Sequence, residues 1–313
     1  MGRIDGVGVA FCGGGFRAFA EVAAQEDMEK HKIPIGAVAG TSMGALVAAL
    51  VAAGLPSERV AELLIELDKM VVDQQVLKVG LRNVASIIGT HGMIDSDTLE
   101  PLAMHILDEV GIHTFADFKL PIAICAVDVV GGDLFIFTND AELFKSEEEN
   151  SWHVICNDQL DAAKCVMCSA SYPLVISPTT YVGHTFIDGG CRMNLPTPLF
   201  DRSQVDAVVG VGMIRKSRSI KDMQPLTIAQ QTINIGANQL DRIYAQIADI
   251  YINLPVLGDD AFQAGTGKEV IEQARQMIAD HPIDWSVAQP STWTAMRRAA
   301  IDTLSKIVRR TQG

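Results

Sequence analysis

Residues 35–54 read IGAVAGTSMGALVAALVAAG and divide into two unlike halves. Residues 35–39 are small or β-branched and have the length of a buried strand. The residues after position 44 are mostly Ala, Val and Leu, and they predict a helix that ends near Gly54. The small residues at 40–44 permit a sharp change of direction between the two. This stretch therefore predicts a strand, a tight turn and a helix.

The N-terminal residues repeat this arrangement. Val7 to Cys12 is an apolar run of strand length, a loop of three glycines follows, and Phe16 to Lys30 predicts a helix with polar residues on one side. Two successive strand-turn-helix units predict an α/β fold with a mostly parallel central sheet flanked by helices on both faces. We expect the 313 residues to form a single domain.

The rest of the chain adds further predicted elements. Gly131 and Gly132 separate two strand-like runs, 120–130 and 133–137, and predict a hairpin because both glycines accept positive φ. Residues 71–94 have no clear assignment, and a mobile cover over a site and a simple connection both fit them. More strands are predicted at 182–187, 205–211 and 249–254, and more helices at 57–70, 97–110, 160–171, 226–245, 268–279 and 293–310. The last of these helices is basic and amphipathic, and packing on the core is the simpler interpretation of its apolar stripe.

Charge and composition exclude several classes of protein. The chain has 25 basic and 38 acidic side chains, and its formal net charge of -13 opposes long-range attraction to nucleic acid or to an anionic bilayer. Contact with a membrane or micelle surface must therefore be local and transient. Residues 33–55 are apolar over the length of a bilayer span, but Pro34 and several glycines interrupt them. Without a signal peptide at the start we expect a cytoplasmic protein, and no pattern indicates an oligomeric state.

The six cysteines are sparse and lie largely in apolar or glycine-rich segments, which favours reduced thiols over a disulfide framework. Cys165 and Cys168 form a C-x-x-C. No second such pair and no suitably spaced pair of histidines completes a zinc site. We therefore expect no metal and no cofactor.

Ser42 is the candidate nucleophile. Gly40-Thr41-Ser42-Met43-Gly44 fits the pattern G-x-S-x-G, in which small flanking residues allow a strained strand-to-helix turn that projects the serine oxygen into a cleft. The helix that follows offers unpaired N–H groups and a positive dipole to an oxyanion. A purely structural turn is the competing interpretation.

A serine hydroxyl is a poor nucleophile until a base accepts its proton. The chain has seven histidines, and none has a local signature, although His184 or His281 would be the base of a Ser-His-Asp triad. Asp188 ends a predicted strand, and Gly189 and Gly190 let the backbone turn sharply after it. Open α/β sheets place their sites near the carboxyl ends of parallel strands, which makes Asp188 a candidate base. An Asp-Gly turn would also explain these residues.

Gly13, Gly14 and Gly15 offer consecutive N–H groups with no side chains in the way. Such a loop suits a phosphate or a tetrahedral oxyanion. A dinucleotide-binding loop is the alternative, but G-x-G-x-x-G would need glycine at Ala18, and no acidic residue ends a strand about 20 residues later. An oxyanion site is therefore the better interpretation of the loop.

Three motifs in this order resemble the patatin-like phospholipase family: GGGFR at 13–17, GTSMG at 40–44 and DGG at 188–190. Residues 169–178 and 126–131 resemble two further segments of that family. The resemblance covers about residues 5–212 of a single domain. Residues 213–313 are predicted to be its C-terminal helical extension. Ala18 departs from the pattern, because the family usually has glycine there.

The resemblance implies a three-layer α/β architecture and a serine lipid acyl hydrolase. By it, Ser42 attacks a carboxylic ester of a phospholipid or lysophospholipid, and Asp188 takes the serine proton in a two-residue dyad. The N–H groups of Gly13 to Gly15 and of Met43 would hold the oxyanion. Arg17 would shape the glycine loop or meet a lipid phosphate.

The glycines at 40, 44, 189 and 190 support these motifs by leaving room for the two turns. Two alternatives stay open beside the Ser-Asp dyad. One is an esterase with a Ser-His-Asp triad, and the other is a non-catalytic lipid-binding or regulatory protein that keeps the same fold.

Overall fold

A computed structural model of the chain describes residues 4–76, 94–144, 152–215, 224–256 and 262–288. Most of the unassigned segment 71–94 and the whole predicted helix 293–310 lie outside these ranges. The described strands are β1 (Val7–Phe11), β2 (Ile35–Thr41), β3 (Ile122–Asp128), β4 (Leu134–Thr138), β5 (His153–Cys156), β6 (Thr179–Tyr181), β7 (His184–Asp188), β8 (Val208–Gly212) and β9 (Ile250–Asn253). The described α-helices are α1 (Val22–His31), α2 (Met43–Ala52), α3 (Ser57–Asp73), α4 (Ser96–Asp108), α5 (Ala162–Ala170), α6 (Pro225–Tyr244) and α7 (Gly267–Asp280).

The strands form one mixed sheet in the order β5-β4-β3-β2-β1-β8-β9, with β7 paired to β3 and β6 paired to β7. The pairs β1–β2, β1–β8, β2–β3, β4–β5 and β8–β9 are parallel. The pairs β3–β4, β3–β7 and β6–β7 are antiparallel. The predicted α/β class with a mostly parallel central sheet is therefore confirmed.

Strand β3 pairs, along one of its edges, with two strands that are distant in sequence and whose ends meet. Strand β4 occupies one edge of β3, from Ala123 to Val127. Strand β2 occupies the other edge and stops at the pair Thr41–Cys125. On that same edge β7 takes over with the pair Ala126–Asp188. The residue that follows β2 and the residue that ends β7 are therefore neighbours.

The two faces of the sheet carry separate apolar cores. Side chains alternate along a strand, so Val7, Val9 and Phe11 of β1 face one core while Ala10 and Cys12 face the other. The first core includes α2, whose residues are all buried from position 44 to 52. This burial explains the lack of polar residues there. None of the helices that the structure describes is long and apolar enough to span a bilayer.

Several predicted elements differ from the observed ones. The helix predicted from Phe16 begins as a 3-10 turn, Gly15–Glu21, and α1 starts only at Val22. At the end of this turn the Glu21 side chain accepts a hydrogen bond from the Cys12 N–H (2.7 Å), which connects the turn to the residue after β1. The short strands β5 and β6 were not predicted.

The C-terminal part of the chain is not helical throughout. Strand β9 joins the central sheet through its parallel pairing with β8, from Val209–Ile250 to Gly212–Asn253. Helix α7 packs against the 3-10 turn Gly15–Glu21 near the N-terminus. The described part of 213–313 thus contributes to the sheet and to the helical layer, and the single-domain organisation stays a prediction.

Candidate active site

Ser42 lies in the turn between β2 and α2, in a backbone conformation that side chains rarely adopt. Its φ of 56° and ψ of -131° are unfavourable for any residue with a Cβ atom. Strain of this kind persists only where the surrounding structure enforces it, and it is concentrated at functional sites. The G-x-S-x-G prediction of a strained strand-to-helix turn matches this geometry.

Gly40 and Gly44 make the turn sterically feasible. A Cβ atom on Gly40 would lie 2.7 Å from the Ala45 Cα, and one on Gly44 would lie 2.7 Å from the carbonyl oxygen of Phe11. Both contacts are with backbone, which has no room to move. The two glycines therefore let the turn pack directly on the start of α2 and on the end of β1.

The Ser42 backbone is held from a third element. Its N–H donates to the Oγ of Ser169 (2.8 Å), a fully buried residue on α5. Residues 169–178 resemble a segment of the family, but that resemblance indicates no role for Ser169 itself. Ser169 and Ser42 are 127 residues apart, and no local pattern indicates that they meet.

Asp188 lies beside Ser42, as the pairing along β3 requires. It is 2% exposed, and burial raises the pKa of its carboxyl to about 6, although hydrogen bonds with the Ser42 side chain and from the Gly190 N–H lower it. The Gly190 bond is 2.7 Å long. Gly189 is needed because a Cβ atom there would lie 2.7 Å from the carbonyl carbon of Cys125. The structure therefore brings the predicted nucleophile and the predicted base into contact.

The glycine loop lies against the same turn. A Cβ atom on Gly13 would lie 2.9 Å from the Ser42 Cβ. The Gly13 N–H donates to the carbonyl of Asn194 (3.2 Å), so the expectation that Gly13 supplies an oxyanion donor needs correction. Within the described chain, the N–H groups of Gly14, Gly15 and Met43 make no backbone hydrogen bond outside a helix. These three donors therefore remain as candidates.

Arg17 stabilises the glycine loop through a hydrogen bond. Its Nε donates to the carbonyl oxygen of Gly14 (3.2 Å), and its charge lowers the pKa of Tyr172, which burial raises. Of the two roles open to Arg17, the contact with Gly14 fits the shaping of the loop.

An apolar cavity opens beside Ser42. Its volume is about 90 Å³. Ser42 and Met43 lie on its wall together with Gly15 of the glycine loop. The rest of the wall is apolar, with Phe16, Leu46, Leu67, Val71, Leu99, Leu102, Ala103, Val166, Met167, Ala170, Ile176 and Phe262. A cavity of this composition suits a hydrocarbon chain.

The described histidines do not bond to the Ser42 turn or to Asp188. His184 on β7 lies 3.8 Å from the Asp128 carboxylate and packs against Phe135. It is four residues from Asp188 along an extended strand, or about 13 Å at the usual rise of a strand. His281 follows α7 and donates its backbone N–H to Met277. None of the described histidines forms a hydrogen bond or ion pair with Ser42 or Asp188.

No group of three His, Cys, Asp or Glu side chains in the described residues is arranged to hold a metal ion. All six cysteines are free thiols. Cys165 and Cys168 are buried on α5, and burial raises the pKa of both thiols. These two residues behave as core side chains.

Comparison with known proteins gives one family and several relatives. The family described as patatin-like phospholipase matches residues 9–201. The Bacillus subtilis (strain 168) protein called "Uncharacterized protein YqhO" is 30% identical over 223 residues, which are 69% of this chain and 72% of that protein. The crystal structure of VipD from Legionella pneumophila covers 89% of this chain and 67% of its own, at 14% identity and a TM-score of 0.43. The type III effector protein ExoU of Pseudomonas aeruginosa covers 88% of this chain, at 14% identity and a TM-score of 0.42, and this chain spans about half (52%) of it.

Proposed function

The chain belongs to the patatin-like phospholipase family, and from this premise we propose that it is a lipid hydrolase that cleaves carboxylic esters of phospholipids or lysophospholipids through Ser42 and Asp188. The observation that carries the proposal is the contact of the Ser42 side chain with the buried carboxyl of Asp188, beside an apolar cavity that Ser42 lines. The cavity would take the acyl chain and leave the polar head group at its mouth.

The environment of Asp188 suits a catalytic base. A carboxyl with a pKa of about 6 is mostly ionised at neutral pH and is a stronger base than an ordinary carboxylate. The Ser42 oxygen attacks the ester carbonyl carbon while its proton moves to Asp188. The negative charge that forms on the carbonyl oxygen is met by the N–H groups of Gly14, Gly15 and Met43 and by the positive end of the α2 dipole.

The same two residues complete the cycle. Collapse of the tetrahedral intermediate breaks the bond to the alcohol, which takes the proton from Asp188 and leaves an acyl group on Ser42. Water then attacks the acyl-enzyme, and Asp188 accepts the proton of that water. The fatty acid leaves when the Ser42 oxygen recovers a proton from Asp188.

Helix α6 is the surface on which we expect aggregated lipid to meet the protein. It exposes Ile228, Ile235 and Ile243, and their exposed fractions are 45%, 54% and 47%. The helix reaches the site through a hydrogen bond from the Tyr172 hydroxyl to Asn234 (3.1 Å). Exposed apolar side chains beside a lipid site favour local contact with a lipid surface, which the net charge does not oppose at short range.

The test is activity-based labelling followed by product analysis. The folded protein is incubated with a fluorophosphonate, and fatty acid release from phosphatidylcholine vesicles and from lysophosphatidylcholine micelles is measured by mass spectrometry. We expect labelling at Ser42 and fatty acid release, and we expect Ser42→Ala and Asp188→Asn to reduce turnover by about 10³-fold or more. His184→Ala should retain activity.

Two results would contradict the proposal. Folded protein that neither labels nor releases fatty acid would favour a non-catalytic lipid-binding protein. A loss of activity in His184→Ala or His281→Ala as large as that in Ser42→Ala, without unfolding, would replace the dyad by a triad. The exposed serine variant Ser203→Ala serves as the control for labelling specificity.

A further inference from the structure

Asn194 connects the glycine loop to the C-terminal part of the chain. Its backbone carbonyl accepts the N–H of Gly13 (3.2 Å), and its side-chain Nδ2 donates to the Gly13 carbonyl oxygen (3.3 Å). The same Nδ2 donates to Oδ2 of Asp241 on α6 (2.9 Å). One residue therefore holds both backbone groups of Gly13 and is itself held by a carboxylate.

The bond to the Gly13 carbonyl also fixes a donor. The Gly13 C=O and the Gly14 N–H belong to one planar trans peptide group, so they point in opposite directions. A side chain that anchors this oxygen sets the direction of the Gly14 N–H. Arg17 does the same for the next peptide, because its bond to the Gly14 carbonyl sets the direction of the Gly15 N–H.

Asn194 also fills the space between the two halves of the site. Its Oδ1 lies too close to the position of a Cβ atom on Gly13 for that atom to fit, and it is 2.9 Å from the position of a Cβ atom on Gly190. The side chain is thus wedged between the glycine loop and the turn that follows Asp188. A change at Asn194 affects the loop that would hold the oxyanion directly.

Asp241, which accepts the hydrogen bond from Asn194, is buried to an unusual degree for a carboxyl group: it is only 7% exposed. Burial raises the pKa of its carboxyl to about 6, and hydrogen bonds from the Asn194 side chain and the Leu195 N–H lower it. A buried carboxylate is unfavourable unless its partners compensate for the lost water. Titratable groups that interact with it include Cys12, which follows β1, Tyr244 of α6 and Tyr251 of β9.

We propose that Asn194 and Asp241 are positioning residues that orient the Gly13–Gly14 peptide so that its N–H faces the oxyanion formed at Ser42. This inference rests on the proposed function. Helix α6 lies outside the residues matched by the family. Through Asp241 it would take part in the reaction without contacting the ester.

The experiment compares how each variant affects the binding of a transition-state mimic and the binding of a ground-state mimic. Wild type, Asn194→Leu, Asp241→Leu and Asp241→Asn are compared for kcat and KM on a short-chain p-nitrophenyl ester. Their affinities are then measured for an alkyl trifluoromethyl ketone, which adds to the serine as a tetrahedral oxyanion, and for the corresponding fatty amide, which does not. Asn238→Ala is the matched control, because Asn238 lies on the same helix and bonds only to the carbonyl of Asn234 in the described chain.

We expect the two leucine variants to lose about tenfold or more in kcat and in affinity for the ketone, with KM and amide affinity within about threefold of wild type. Asp241→Asn keeps an oxygen that accepts the Asn194 N–H, so it should stay within about threefold of wild type in every measurement. Asn238→Ala should be unchanged. If a leucine variant does not fold, Asn194→Ser and Asp241→Ser replace it.

Equal losses of ketone and amide affinity would overturn the inference, as would full kcat in the Asn194 and Asp241 variants. Failure of Asp241→Asn alongside Asp241→Leu would also count against it, since the hydrogen bond would not be the property that matters. A wild type that neither turns over nor labels at Ser42 refutes the proposed function itself, and the inference falls with it.

Discussion

Removing the Cβ atom of the residue at position 42 should stabilise the protein while it abolishes activity. We compare Ser42→Gly with Ser42→Ala. Both variants lack the hydroxyl and its hydrogen bond to Asp188, so that loss cancels in the comparison. What differs is the strain of holding a Cβ atom at φ 56° and ψ -131°.

The size of the difference follows from two opposing effects. Holding a non-glycine residue in such a sparsely populated region costs on the order of 1–3 kcal/mol. Glycine in place of alanine costs about 0.4–1 kcal/mol through the greater entropy of the unfolded chain. Strain is the larger effect, so Ser42→Gly should be more stable than Ser42→Ala by about 1–2 kcal/mol, which is the reverse of the usual order.

Differential scanning calorimetry at pH 7 measures this difference as a shift in Tm, and urea denaturation gives the free energy of unfolding. A gap of this size corresponds to a few degrees, at roughly 2–4 °C per kcal/mol for a chain of this class. Gly236→Ala supplies the opposite case, because Gly236 has no positive φ and nothing in the described chain outside its own helix backbone lies within 4 Å of the position of an added Cβ atom. Equal or greater stability of Ser42→Ala would refute the argument that the turn is strained.

The remaining predictions concern the base, the turn and the lipid surface. Because the proposed mechanism needs ionised Asp188, whose pKa is about 6, kcat/KM should fall about tenfold per pH unit below pH 6 and level off above pH 7; a pH profile without this fall would contradict the proposed role of Asp188. The raised pKa also means that Asp188 favours folding below pH 4 and loses this contribution as pH rises to about 6, so Asp188→Asn should gain stability relative to wild type between those values, measured by urea titration. Gly44→Ala should unfold or inactivate the protein because backbone oxygens block the new methyl, whereas Gly236→Ala on α6 should stabilise it by about 0.5–1 kcal/mol, both followed by thermal unfolding. Replacing Ile228 and Ile235 by Asn should lower turnover on vesicles several-fold and leave hydrolysis of a monomeric short-chain ester unchanged, and equal losses on both substrates would argue against a lipid-contact role.

Local sequence was sufficient to predict the turns at Ser42 and Asp188, and the roles of the two residues as nucleophile and base stay predictions. Each lies at the end of a strand, and each is followed or flanked by glycines that only a sharp turn requires. The parallel sheet followed from two repeated strand-turn-helix units for the same reason. These features are encoded within about ten residues, and a reader of the chain can see them.

The residues that hold the site together are not encoded locally. Ser169 meets Ser42 across 127 residues, Asn194 meets Gly13 across 181, and Asp241 meets Asn194 across 47. Each is an ordinary polar residue in its own segment. Only the fold shows that Ser169 and Asn194 bond to backbone groups of Ser42 and Gly13, and that Asp241 bonds to the Asn194 side chain. The hydrogen bond from the Gly13 N–H to the Asn194 carbonyl, which removes Gly13 as an oxyanion donor, is likewise visible only in the fold.

The arrangement of the sheet explains how Asp188 would act on Ser42 without a histidine in the proposed mechanism. Since β2 and β7 meet end to end on one edge of β3, Asp188 reaches Ser42 directly, without an intervening imidazole. The same pairing buries Asp188, and burial raises its pKa toward the range in which a base is effective near neutral pH. Burial also makes the ionised carboxylate unfavourable for the folded state, and the turn at Ser42 adds backbone strain. The proposed chemistry needs both the buried carboxylate and the strained turn, although each destabilises the folded state. Variants that remove the carboxylate or the strain should therefore be more stable and inactive.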